Sequence, residues 1–106
     1  MNIVEHVSGN RKYRVTLMPG SYAVIEYFKD DQFVSMRRFE VGDEAEYDSF
    51  NLQYTGIIRA IGPKTVTVES SFEGKKRLKA AEFGWRNWDF NSAEVARRNA
   101  EVSQSI

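Results

Sequence analysis

Between Val41 and Glu69 the chain spells out a short strand, a long strand with an internal glycine, a tight turn and a return strand. The pieces are Val41-Gly42-Asp43-Glu44-Ala45-Glu46-Tyr47, Tyr54-Thr55-Gly56-Ile57-Ile58-Arg59-Ala60-Ile61, Gly62-Pro63-Lys64 and Thr65-Val66-Thr67-Val68-Glu69. A three-residue connection forces antiparallel neighbours, and side chains alternate between the two faces of a strand. Val66 and Val68 therefore point inward while Thr65, Thr67 and Glu69 point out. In the long strand the same count puts Ile57 and Ile61 on one face and Tyr54 and Ile58 on the other. Gly56 sits mid-strand, where a missing side chain marks a bulge, a bend or a close backbone approach. A bend there lets one long strand serve both halves of a small twisted barrel.

Upstream, residues 13–39 read as a three-stranded meander. Tyr13, Val15 and Leu17 share a face opposite Arg14 and Thr16. Pro19-Gly20 supplies a turn, with proline presetting φ and glycine free to adopt positive φ. Tyr22 to Phe28 is β-branched and aromatic on both faces, as in a central strand. Asp30-Asp31-Gln32 closes the next turn, and Phe33 to Phe39 returns. Arg77-Leu78-Lys79 follows the Phe72–Lys75 turn as a short closing strand. Past Phe90 the period changes. Asn91 is placed to cap a helix over residues 91–102, with Glu94 reaching back and Phe90 packing on Val95. Its Ala93, Ala96 and Ala100 form only a thin apolar stripe, so that helix needs a surface to dock on.

The fold expected is mainly β: an N-terminal meander over 1–40, a small bent barrel over 41–90 and a C-terminal helical segment over 91–106, all in one compact unit. Val15, Leu17, Val24, Ile25, Ile57, Ile58, Ile61, Val66, Val68 and Trp88 are the expected core. A chain of 106 residues suits one domain that needs no disulfide or metal staple. It has no cysteine, which removes thiolate ligands and thiol nucleophiles together. No apolar run approaches the roughly 20 residues of a membrane helix, and Met1 to His6 lacks the pattern of a signal peptide. A soluble cytoplasmic protein without membrane contact and without a cofactor is expected.

The stretch from Val41 to about Trp88 resembles the Src-homology-3-like small barrels, in particular the Tudor, KOW and Agenet group. There a Gly-Asp turn opens a strand, as Gly42-Asp43 does here, and a "tGxI" strand (Thr55-Gly56-Ile57-Ile58) precedes a turn and "tVtV" (Thr65-Val66-Thr67-Val68). The resemblance implies a binding module, and the same strand grammar serves RNA, DNA, peptide and modified-residue binders. It leaves the ligand open. Asp48-Ser49-Phe50-Asn51 is acidic or polar where a KOW segment carries a glycine-rich basic turn. The Trp-containing tail is also similar to small proteins encoded by tailed phages.

Net charge is zero, so the chain as a whole is not a polycation. Residues 1–55 hold six basic and nine acidic side chains and residues 56–106 hold nine and six, which leaves room for a local basic face. The candidate binding residues are Lys75, Lys76, Arg77, Lys79, Trp85 and Arg86, with Phe83 and Trp88 among them. Cations interleaved with aromatic rings are what single-stranded nucleic acid requires, because cations follow phosphates while rings stack bases. The same tryptophans also suit a packing role at the barrel end, since each aromatic side chain buries about 150–250 Å². An acidic protein partner would meet the same cations.

Glu40, Asp43, Glu44, Glu46 and Asp48 are oxygen ligands in type but lack the spacing of a calcium loop. They read better as the charged face of an edge strand. Tyr22, Tyr27, Tyr47, Phe50 and Tyr54 form a third set, suited to a peptide groove or to inter-strand packing. His6 is the sole histidine, at an end expected to be loose, with no partner set for metal or nucleophilic chemistry. The expectation is a non-enzymatic binding module contacting nucleic acid or an acidic partner. The alternative is a structural or regulatory protein that self-associates into a homo-oligomer through edge strands or the terminal helix.

Overall fold

The computed structural model describes residues 2–88. The chain forms strands β1 (Asn2–Ser8), β2 (Arg11–Met18), β3 (Tyr22–Lys29), β4 (Gln32–Glu40), β5 (Glu44–Ser49), β6 (Leu52–Ile61), β7 (Thr65–Ser70) and β8 (Gly74–Lys79), then helix α1 (Ala80–Asn87). They make two four-stranded antiparallel meanders, β1-β2-β3-β4 and β5-β6-β7-β8. The meander expected over residues 13–39 thus has a fourth strand. Residues 2–8, expected to be loose, are ordered by pairing along β2, with Val4 opposite Val15 and His6 opposite Tyr13. Each sheet runs open from edge to edge. The helix expected over residues 91–102 falls outside the described residues.

Local chemistry accounts for the hairpins. Asp30 and Asp31 both have positive φ, at 53° and 60°, between the paired ends Lys29 and Gln32. Two central residues of positive φ match the right-handed twist of the flanking strands. The β5–β6 hairpin does the same with Phe50 and Asn51, at 49° and 63°. A phenylalanine in that conformation is unusual, and it is 91% exposed.

One core joins both sheets and the helix. Val15, Leu17, Ala23, Ile25 and Phe39 come from the first sheet, Tyr47, Ile58, Ile61, Val66, Val68 and Leu78 from the second, and Phe83 from α1. Seven of the ten expected core residues, Val15, Leu17, Ile25, Ile58, Ile61, Val66 and Val68, are buried, whereas Val24, Ile57 and Trp88 are half-buried. The pairing of β6 explains Ile57. A register shift between Ile58 and Ala60 changes the alternation, so Ile58 opposes Val68 while Ile61 opposes Val66. Both therefore face inward, and Ile57 is left on the outer side. Gly56 itself marks a close approach. A Cβ there would lie 3.0 Å from the Glu69 carbonyl oxygen and 3.3 Å from the Tyr47 ring.

The helix was not foreseen over these residues. Its buried positions, Ala80, Phe83, Gly84 and Asn87, fall at i, i+3, i+4 and i+7, one face of a helix. Glu82 lies in its first turn and Arg86 in its last, each complementing the helix dipole. Gly84 is where α1 meets the first sheet. A Cβ on it would overlap Val15 and come within 2.6 Å of the Tyr13 ring. That ring cannot slide away freely, because its hydroxyl donates to the Ala81 carbonyl at 3.2 Å and its faces meet His6 and Trp88. In an open helix Gly→Ala gains about 1 kcal/mol. Here overpacking outweighs that gain, and Gly84→Ala is expected to destabilise the protein by about 1–3 kcal/mol in urea unfolding. A variant more stable than the parent would show that α1 does not press on Tyr13.

Candidate functional site

The two tryptophans part company in the structure. Trp88 lies half-buried between Tyr13 and Tyr27, with ring centroids 5.9 and 4.7 Å away. It also ends the helix, donating its backbone N–H to the Gly84 carbonyl. Trp85, one turn earlier, turns outward and is 51% exposed. Its ring meets His6 edge-on at 6.2 Å, and His6 in turn stacks on Tyr13 at 5.1 Å. These rings, with Tyr27, Ser8, Arg11 and Lys12, line a cleft of about 160 Å³. Three separate parts of the chain build it: β1, the β2–β3 pair and the end of α1.

The cleft's charge comes mainly from one side. Lys12 borders it, but its ammonium sits 4.7 Å from the centre of the Phe28 ring. Phe28 alternates with Tyr27 and so lies on the opposite face of the sheet. Arg11, of the same parity as Tyr13, is exposed on the cleft side. An aromatic-walled recess with a guanidinium at its rim can take a planar ring against Trp85 and an anionic group against Arg11.

The sequence-predicted cations go elsewhere. Lys75, Arg77 and Lys79 alternate along β8 on the outer face of the second sheet, opposite Glu69, Thr67 and Thr65. Lys76 turns inward, donating its ammonium to the Asp48 carbonyl at 3.1 Å and lying 5.7 Å from the Tyr47 ring. Arg86 donates its Nε to the Asp48 carboxylate at 2.8 Å. Lys76 and Arg86 thus tie down the edge strand β5, and of the six predicted residues only Trp85 lines the cleft. Arg11 and His6, which complete it, carried no local signal in the sequence. Only the pairing of β1 with β2 could have placed His6 against Tyr13.

The remaining candidate sets disperse. Asp43 accepts the Glu40 backbone N–H at 2.7 Å, Glu40 accepts from Arg38, and Asp48 accepts from Arg86. Among the described residues no group of three His, Asp or Glu side chains is placed to hold a metal ion. Of the aromatic set, Tyr22 lies under Arg38 and Tyr27 in the cleft, while Tyr47 is buried against Tyr54. Phe50 and Phe72, 91% and 86% exposed, stand on the tips of the β5–β6 and β7–β8 hairpins. The Ser49 hydroxyl joins those hairpins by donating to Glu73 at 2.6 Å. No helix among the described residues is long and apolar enough to cross a membrane.

Comparison of the chain with protein-family models, with characterised proteins and with solved structures finds no match.

Two buried phenols tie the site to the core. Burial pushes the Tyr13 hydroxyl above its ordinary pKa. Burial is also the main cause for Tyr47, opposed by its 2.7 Å hydrogen bond to Ser70 and reinforced by Glu73. A native pKa above the unfolded value of about 10 means that stability is complete below that pH and is lost as pH rises through the native values. Denaturation midpoints between pH 8 and 11.5 are therefore expected to fall less steeply in a Tyr13→Phe/Tyr47→Phe variant than in the parent. Parallel curves would show that neither phenol is held in its neutral form by the fold.

Proposed function

We propose that this protein is a non-enzymatic binding module that engages single-stranded nucleic acid through its basic and aromatic surface. The observation that carries this reading is Trp85, half-exposed at the mouth of a cleft with His6, Tyr13 and Arg11 around it. Keeping an indole in water forgoes the burial that drives folding, and Trp88, three residues on, shows that the fold has a place for such a ring. A base stacked on Trp85 contributes about 1–3 kcal/mol. The exposed cations Arg11, Lys75, Arg77 and Lys79 supply phosphate contacts that zero net charge does not preclude. The resemblance of Val41–Val68 to small Src-homology-3-like barrels supports a binding role in the same sense.

Fluorescence anisotropy with labelled single-stranded and duplex oligonucleotides at two salt concentrations tests the proposal. Binding is expected to favour the single strand and to weaken with salt. Trp85→Ala is expected to lose about tenfold in affinity, one stacked base. Arg11→Ala is expected to lower the salt slope by about one. The absence of salt-sensitive binding at low ionic strength, with either oligonucleotide, would overturn the nucleic-acid reading and leave an acidic protein as the partner to seek.

A further inference from the structure

The two sheets treat their edges differently. On β5 the outward-facing backbone is occupied. The Glu46 N–H donates to the Asn87 side-chain oxygen at 3.0 Å, the Glu46 carbonyl accepts from the Asn87 amide at 2.9 Å, and the Asp48 carbonyl accepts from Lys76. Strand β4, nine residues long, is the edge of the other sheet, and among the described residues no strand pairs with its outer side. At its last residue the backbone N–H and carbonyl of Glu40 turn away from β3 to meet Asp43. Alternation then turns the N–H and carbonyl of Arg38 and Met36 to that same open side.

The side chains of β4 add to this. Phe33, Val34 and Met36 are all about half-exposed or more, at 57%, 49% and 54%. A free edge is ordinarily guarded by charges pointing at the approaching strand, yet the middle of this one is apolar. Charge is distributed lengthwise instead. Asp30 and Asp31 precede the strand, and Arg37 and Arg38 occupy its second half. Antiparallel pairing with an identical strand sets each basic half against the acidic end of the other. Parallel pairing would set like against like.

We propose that β4 pairs with β4 of a second copy of this chain, making one continuous eight-stranded sheet across a two-fold axis at Met36. The register follows from the groups at the edge. A symmetric pair must match residues whose backbone groups face outward, so Met36 either meets its own copy or meets Arg38. The second register places Arg37 directly opposite Arg37, and like charges so placed repel. The first places Arg37 opposite Ser35, Arg38 opposite Val34 and Glu40 opposite Gln32, with the two Met36 side chains in contact at the centre. No like charges then face each other.

The absence of cysteine gives a clean test in the full chain. Met36→Cys is expected to form a covalent dimer under mild oxidation more than about tenfold faster than Phe50→Cys. Thiols held across an axis react at a millimolar effective concentration, whereas equally accessible unpaired thiols do not. Phe50 is the more exposed of the two, so simple accessibility would reverse the order. In parallel, the wild-type protein should show a concentration-dependent dimer by sedimentation, and Met36→Lys should abolish it while leaving the circular dichroism spectrum unchanged. A monomer at 100-micromolar concentration (on the order of the weakest specific pairing worth the name), equal oxidation rates, or a dimer that survives Met36→Lys would each overturn the proposal.

Discussion

Asn87 holds the structure together in a way its polarity conceals. It is 2% exposed and uses both ends of its amide on the backbone of Glu46, with a further hydrogen bond to Phe83 in its own helix at 2.8 Å. A carboxamide has the donor and acceptor of a peptide group, so Asn87 stands where a neighbouring strand would have supplied them. An unmatched buried amide or carbonyl would cost about 1–3 kcal/mol. The second sheet therefore needs no ninth strand, and α1 is fixed in rotation about its own axis. That rotation points Phe83 into the core, lays Gly84 on Tyr13, and turns Trp85 out.

From this one orientation the candidate site follows. If Gly84 rests against Tyr13 and Val15, the next residue must leave the contact face, and Trp85 emerges beside His6. One turn on, Trp88 returns to the sheet and closes the gap between Tyr13 and Tyr27. The aromatic cleft is thus a by-product of packing at every wall except one. Trp85 is the wall that packing does not require, which is why the functional reading rests on it and not on Trp88.

The β architecture was largely legible in the sequence because strand alternation is a short-range signal. Val15, Leu17, Val66 and Val68 declare their faces within a few residues, and Pro19-Gly20 and Asp30-Asp31 mark turns. Three things were not legible, each for a physical reason. Ile57 and Ile61 were assigned one face by counting in twos, and the register shift beyond Ile58 is invisible to such counting. β1 mixes Ile3, Val4, Glu5 and His6 with no clear period, so its strand state comes from β2. Helix α1 does have the helical period, but a glycine and an asparagine fill two of its four buried positions and disguise it as a polar, aromatic loop. The binding surface inherited that error: the lysines of β8 adjoin Trp85 in sequence, while Arg11 and His6 adjoin it in space.

The central claim is that Asn87 completes the edge of β5 and so sets the helix. Hydrogen exchange at the Glu46 backbone amide, followed by NMR, tests it most directly. Edge-strand amides that point at solvent exchange by local fluctuation, whereas an amide locked to a buried partner waits for larger opening. The account predicts that the Glu46 amide is protected to a degree comparable with the central β7 amides of Val66 and Val68. Exchange at the rate of an open edge would contradict it, for the helix would then be resting on β5 without being bound to it.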